Sequence, residues 1–473
     1  MKLFYKNEKI NKKFKGILEI YLVVFTLFYF VGIIFKNLFL LELTIFIVYI
    51  LLLIYSYNIK KNLSIMFLFL ISFGIFNISK IMISLFLNEK WQVGIFFKYY
   101  YFNEDTSIKM LNIIFCHLIS LFLGLIIYKK TFIKKEIRKI KRDKNISRIC
   151  SFLMNISFIP LFLKFKIENE FVKQHGYLSL YNGVYVNHSF PIWTKGWNML
   201  FTYSYYMYIV SKPNEKKFLF YSSIFLILKG FSAMRGGRTE FATNIFLVLT
   251  YYVIIYKKRI KKKIIMVLGL MIVLLYLIGV TRSGGDISRF NLIEILKNFF
   301  SEQGMSFLVL GINIENRENY IRPLYRQIVA PLIDQIQRIR NPELFLVQSK
   351  KLIEVSDNIN YHLSYLYIPE DFLKGAGIGS NYLAEIDNLG GIVAIIIFGI
   401  MMGYFIPKFE DNFLSTKFKM FMSIPILLNL YISPRANFLP MFFIFYPYLA
   451  VYFLFWFGMK ILKKLKVKDR KNE

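Results

Sequence analysis

Ten arginines (Arg235, Arg238, Arg282, Arg289, Arg317, Arg322, Arg326, Arg338, Arg340 and Arg435) fall in segments that the charge pattern below assigns to one side of a membrane. Arginine presents a planar fork of donors that grips phosphate or carboxylate oxygens two at a time, whereas lysine is a point charge. That side therefore reads as built to hold a multiply charged anion. Two of these segments are tight turns. In MRGGRTE the glycines let the backbone come close to a ligand, and in ISPRANFLP Pro434 fixes the turn before Arg435. Proton acceptors lie in the same outer segments. His362 is the imidazole best suited by its chemistry. Glu302, ahead of Gln303 and Gly304, abuts an apolar run expected to desolvate it. Glu385 and Asp387 open an apolar stretch, where a carboxylate can equally complement a helix dipole. Glu104, Asp105, Asp286, Asp334 and Asp357 are further outer carboxylates. His117 reads as a packing residue within a span. His175 and His188 lack the ligand set of a zinc site, so no metal or cofactor is expected.

The elements that must position these groups are membrane helices. Of 473 residues 56% are hydrophobic, with 51 Phe and 33 Tyr, and the apolar residues come in blocks separated by lysines. Blocks of about twenty suit a bilayer core of ~30 Å at 1.5 Å per residue. This excludes a soluble enzyme, a disulfide scaffold and a disordered chain. Twelve spans can be drawn, at 17–35, 38–57, 63–87, 109–128, 149–165, 191–210, 218–233, 239–256, 264–281, 386–406, 419–432 and 437–459. With a cytoplasmic N-terminus, the inner segments carry 37 of the 61 Lys and Arg, so the positive-inside rule puts both termini in the cytoplasm. The net charge of +32 is then a topology and lipid-contact signal, with anionic membrane lipids and no nucleic acid as partner. The expected architecture is an all-α polytopic membrane protein in three parts: spans one to nine over 1–281, a large outer loop at 282–385, and spans ten to twelve with a basic tail over 386–473. Apolar spacing at Leu324, Ile328, Leu332, Ile336 and Ile339 predicts an amphipathic helix over 324–340, lying at the outer membrane boundary. Charges inside spans are Glu42, Lys80 and Lys229, each needing a partner or a water path. Glu42 and Lys80 could pair, and Lys229 could add to the positive mouth at MRGGR.

FFSEQGMSFLVLG opens the large loop, GIGSNYLAEIDNLGGIVAIIIFGIMMGYF closes it into a span, and MRGGRTEF and SPRANFL sit at outer turns. Together with the many-span layout, these segments resemble an O-antigen polysaccharide polymerase of the Wzy type. The resemblance implies joining of oligosaccharide repeat units carried on undecaprenyl pyrophosphate, at the outer (periplasmic) face of the bacterial inner membrane, without nucleotide sugar or metal. It implies the flippase and chain-length regulator of the same pathway as further partners. On this reading Arg235, Arg238, Arg282, Arg322, Arg326 and Arg435 meet the pyrophosphate, and Glu302, His362 or Glu385 takes the proton of the attacking hydroxyl. Some family members carry Arg followed eleven positions later by Gly in two outer loops. No outer Arg here has Gly at that position, so the roles rest on charge and location. An O-antigen ligase uses the same donor, and a twelve-span transporter or lipid-glycan flippase has the same layout. A late hundred-residue loop and the absence of an internal repeat speak against the transporter.

Overall fold

The computed structural model describes residues 2–60, 62–87, 89–91, 93–95, 99–131, 140–182, 184, 192–194, 196–234, 238–257, 292–320 and 324–472. Helices dominate, as the apolar blocks require. The exception among the described residues is a short antiparallel pair, β1 (Val93–Ile95) with β2 (Tyr99–Tyr101). Nine described helices are long and apolar enough to cross a bilayer: Gly16–Ile34, Leu38–Lys60, Ile65–Leu87, Glu104–Thr131, Lys144–His175, Glu215–Met234, Arg238–Tyr256, Tyr382–Ser415 and Leu439–Gly458. Each coincides with one of the expected spans, and this is a multi-pass membrane protein. Two other expected spans are shorter helices, Trp197–Val210 with 14 residues and Lys417–Ile432 with 16. At 1.5 Å per residue these reach only about 21 and 24 Å. The expected span 264–281 lies outside the described residues.

Helices are numbered here in chain order: α1 (Lys2–Ile34), α2 (Leu38–Lys60), α3 (Ile65–Leu87), α4 (Glu104–Thr131), α5 (Lys144–His175), α6 (Trp197–Val210), α7 (Glu215–Met234), α8 (Arg238–Tyr256), α9 (Leu292–Gln303), α10 (Met305–Tyr320), α11 (Leu324–Arg340), α12 (Lys350–Val355), α13 (Ile359–Tyr367), α14 (Pro369–Leu373), α15 (Tyr382–Asn412), α16 (Lys417–Ile432) and α17 (Phe445–Asn472). They form two compact units. The first joins Met1–Lys134, Arg259–Glu410 and Tyr431–Phe438; the second joins Lys135–Lys258, Asp411–Leu430 and Leu439–Glu473.

In the first unit α4 and α15 cross backbone to backbone. A Cβ on Gly124 would lie 2.3 Å from the Ile400 carbonyl oxygen, and one on Gly403 would lie 2.2 Å from that of Leu121. Buried His117, beside this crossing, meets the Tyr382 hydroxyl at 2.6 Å through Nε2, so it is a packing residue. Helix α3 contains a π turn, Gly74–Ile78, a distortion frequent at functional sites. Glu42 accepts from the Trp91 indole at 2.7 Å while Lys80 donates to Ser301, so each of these intramembrane charges has its own partner. In the second unit Tyr251 bonds the Met420 carbonyl at 2.6 Å and Ser423 at 2.7 Å. Lys229 pairs with Glu240 at 2.7 Å, an attachment that the sequence reading did not anticipate.

The expected amphipathic helix is α11. Ile328, Leu332, Ile336 and Ile339 form an exposed stripe along it, while Ala330 and Asp334 are buried.

Candidate active site

All contacts in this subsection lie within the first unit unless stated. Helix α15 is two helices in succession, because Gly390 and Gly391 leave helical geometry and Gly391 adopts φ 60°, ψ −149°. The positive φ favours glycine. The short leading piece begins at Asn381, whose side-chain oxygen accepts from the Leu383 amide at 2.9 Å and whose carbonyl accepts from Ala384 and Glu385. The amide nitrogen of Asn381 donates to Asn77 Oδ1 at 2.6 Å and to the Ser306 carbonyl at 2.9 Å. The π turn of α3, the start of α10 and the start of α15 therefore meet at one buried residue. Asn388 exchanges two amide hydrogen bonds with Asn313, at 3.1 and 2.9 Å, and Arg317 reaches Asp387 at 3.5 Å. Asp387 is thus an ion-pair partner that fixes the piece carrying Glu385.

A basic corner forms where α9 turns into α10. Gly304 allows it: a Cβ there would lie 2.6 Å from Ser79 Oγ and 2.7 Å from Lys80 Cγ. Lys80 donates to Ser301 Oγ at 2.8 Å. Arg435, in the 3-10 turn Ser433–Arg435, donates to Gln303 Oε1 and lies over the Phe76 ring at 5.6 Å from its centroid. Asn77 holds this turn by donating to the Pro434 carbonyl at 3.2 Å. Two cations from distant parts of the sequence are thus held against one helix corner.

The same turn continues into a small, partly open cleft. Its walls are Gln327, Ala330, Pro331 and Asp334 of α11, then Asp357, Asn358 and Ile359, then Glu385 and Asn388 of α15, and finally Asn437. Asn437 donates to Asn358 Oδ1 at 3.0 Å, and the Phe438 amide donates to Glu385 Oε2 at 2.6 Å. Arg326 clasps Asp357 Oδ2 through Nε at 2.9 Å and a terminal nitrogen at 2.8 Å. Ser356 Oγ donates to Asp334 Oδ2 at 3.0 Å, while the other oxygen, Asp334 Oδ1, is buried without a hydrogen-bond partner. Burial pushes the Asp334 carboxyl above the ordinary aspartate value and the neighbouring Asp357 charge adds to this, against the Ser356 hydroxyl, Arg338 and the Asn358 side chain. Carboxylates and amides around a cleft are what sugar hydroxyls bond to, since each hydroxyl both donates and accepts.

Of the residues singled out by sequence, Arg435 stands in the basic corner, Glu385 on the cleft wall, and Arg326 at the cleft edge, engaged by Asp357. His362 is buried, with Nε2 at 2.6 Å from the Ser356 carbonyl. A carbonyl only accepts, so this bond puts the proton on Nε2 and makes His362 a support for Ser356. Glu302 is exposed; its buried neighbour Gln303 is the one that touches Arg435. The expected desolvation of Glu302 is therefore not found, because the helical phase of α9 turns position 303 inward instead. Arg238 begins α8 in the second unit and is half-buried. Arg235, Arg282 and Arg322 lie outside the described residues. Sequence reasoning missed Lys80 as a site residue, though its charge inside a span was the signal. It ranked Asp334 among many carboxylates, and it passed over Asn437, two positions beyond Arg435. Among the described residues no group of three His, Cys, Asp or Glu is placed to hold a metal ion.

Comparison with known families adds an independent finding. The model of the family described as O-antigen polysaccharide polymerase Wzy matches residues 17–466, which includes the basic corner, the broken helix and the cleft. Comparisons with curated proteins and with solved structures give no match. With nearly the whole chain covered, the protein belongs to the O-antigen polysaccharide polymerase Wzy family, and its activity is the joining of O-antigen repeat units into polysaccharide.

Proposed function

We propose that this polymerase acts as a glycosyltransferase whose donor is the growing glycan on undecaprenyl pyrophosphate, at the outer face of the bacterial inner membrane. The observation that carries this reading is the turn 433–438, which puts Arg435 into the basic corner and Asn437 onto the cleft wall. Transfer from a lipid pyrophosphate needs positive charge where the pyrophosphate departs and a polar seat for the acceptor sugar. Arg435 and Lys80 serve the first need, with Arg282 and Arg322 proposed as further pyrophosphate contacts. The cleft serves the second. Arg326 acts there by neutralising Asp357. Of Glu302, His362 and Glu385, Glu385 lies on the cleft wall beside Asp334 and Asp357, His362 acts through Ser356, and Glu302 is exposed beside the corner. The flippase that delivers lipid-linked units and the chain-length regulator of the pathway are the proposed protein partners.

The test is reconstitution. Purified protein in lipid, given undecaprenyl-pyrophosphate-linked repeat units alone, is expected to yield a ladder of polymer. A strain lacking the gene is expected to accumulate single repeat units on otherwise normal lipid A core. A strict requirement for added lipid A core would reassign the protein as a ligase.

A further inference from the structure

We infer that Asp334 is the catalytic base: its Oδ1 takes the proton of the acceptor sugar's attacking hydroxyl, with that sugar seated in the cleft between α11 and the leading piece of α15. This rests on the polymerase reading and deepens it.

Asp334 lines the cleft, is 6% exposed, and has its Oδ2 occupied by Ser356 Oγ while Oδ1 is buried without a partner. Buried carboxylate oxygens in folded proteins are almost always satisfied, since leaving one bare forfeits the hydration it had in water. A sugar hydroxyl entering the cleft would supply the missing donor. The Ser356 bond fixes the carboxylate plane, and Ser356 is in turn held by His362 Nε2. Ser356 and the Asn358 side chain thus orient the carboxylate, and Oδ1 is left for substrate.

The groups facing Asp334 are Arg338 on its own helix, Asp357 before α13, Tyr361 within α13 and Glu385 across the cleft, with Arg326 clamped on Asp357. Burial, and then the neighbouring Asp357 charge, favour its neutral form. Asp334 therefore becomes a competent base only as pH rises through a value above the ordinary aspartate range.

The step balances. The acceptor O–H bond breaks and its proton goes to Asp334 Oδ1, while the oxygen bonds to the anomeric carbon of the donor glycan. The bond from that carbon to the pyrophosphate oxygen breaks, and its electron pair leaves with the lipid pyrophosphate towards Arg435 and Lys80. The proton then passes to solvent, and no other reactant is consumed.

The experiment uses the full-length protein in lipid with undecaprenyl-pyrophosphate-linked repeat units, comparing the parent with Asp334→Asn and Asp334→Glu across pH. Substrate binding is measured in parallel. Loss of a positioned base removes roughly 10²–10⁴ in rate. Asp334→Asn is therefore expected to lose that much in kcat with substrate still bound, and to lose the rising limb of the parent's pH profile. Asp334→Glu is expected to keep the limb and part of the rate. Parental turnover in Asp334→Asn, a rising limb that persists in it, or equal losses in the Asn and Glu variants at every pH would each overturn the proposal. So would loss of substrate binding by Asp334→Asn, which would make the residue a cleft-shaping one. Failure of the parent itself to form polymer would instead overturn the polymerase chemistry on which the inference stands.

Discussion

Asn381 and Asn77, 304 positions apart in the chain, meet amide to amide at 2.6 Å, both wholly buried. The bond ties the π turn of α3 to the start of α15, and Asn77 passes the connection on to the Pro434 carbonyl beside Arg435. Replacing Asn381 by Ala removes a helix cap and leaves two buried acceptors, Asn77 Oδ1 and the Ser306 carbonyl, without this donor. A loss of about 1–3 kcal/mol is expected. The double variant with Asn77→Ala should fall short of the sum of the two single losses. Thermal unfolding in detergent measures both, and strict additivity would show that the two amides act independently.

Arg435→Lys is expected to lose polymer at unchanged protein level, because an ammonium cannot reproduce the guanidinium fork. Lys80→Met should act the same way by removing the second cation of the corner. Loss of a donor aimed at developing negative charge typically costs about 10²–10³ in rate. Polymer ladders from complemented deletion strains give the readout. Full ladders from both variants would reduce the corner to a packing feature.

Gly391 has open space around the position of a Cβ, so steric crowding does not explain its identity; its positive φ does. Gly391→Ala is expected to cost about 1–3 kcal/mol through backbone strain alone. Because the strain is relieved by straightening α15, Glu385 and Asn388 would turn out of the cleft and activity should fall further than stability. Paired melting and turnover measurements separate the two effects. A variant with parental turnover would show that the break does not set the cleft.

Topology follows from charge. Reporter fusions after residues 140, 260 and 465 are expected to read cytoplasmic, and a fusion near 345 external. An internal signal at 345 would move the cleft and the Arg435 turn to the wrong side for a lipid-linked donor.

Nine of the twelve expected spans and the amphipathic helix were legible in the sequence because both depend on local apolar patterning. The α11 boundaries, Leu324–Arg340, match the apolar spacing closely. Arg435 was legible through the proline before it. Partnerships across the chain were not: Lys80 finds Ser301 over 221 positions and Arg435 finds Gln303 over 132, and no window of sequence contains either pair. Glu302 and Gln303 show a second limit. Neighbours on a helix point about 100° apart, and only packing decides which of them faces the corner.

The π turn of α3 has a consequence for where insertions and deletions can be tolerated. A five-residue turn carries one residue more than the α-helical turn it replaces. Before it the helix buries Ile65, Leu68, Phe69 and Phe73 in an apolar setting, and after it the helix buries Ser79 and Lys80. Deleting one residue within 74–78 would restore an ordinary α-helical turn with both flanks facing as before, so Lys80 should keep Ser301 and the span should survive. What the deletion removes is the bulge itself, and with it the setting that lets Asn77 meet both Asn381 and the Pro434 carbonyl. A deletion tolerated by the helix would therefore still loosen the Arg435 turn.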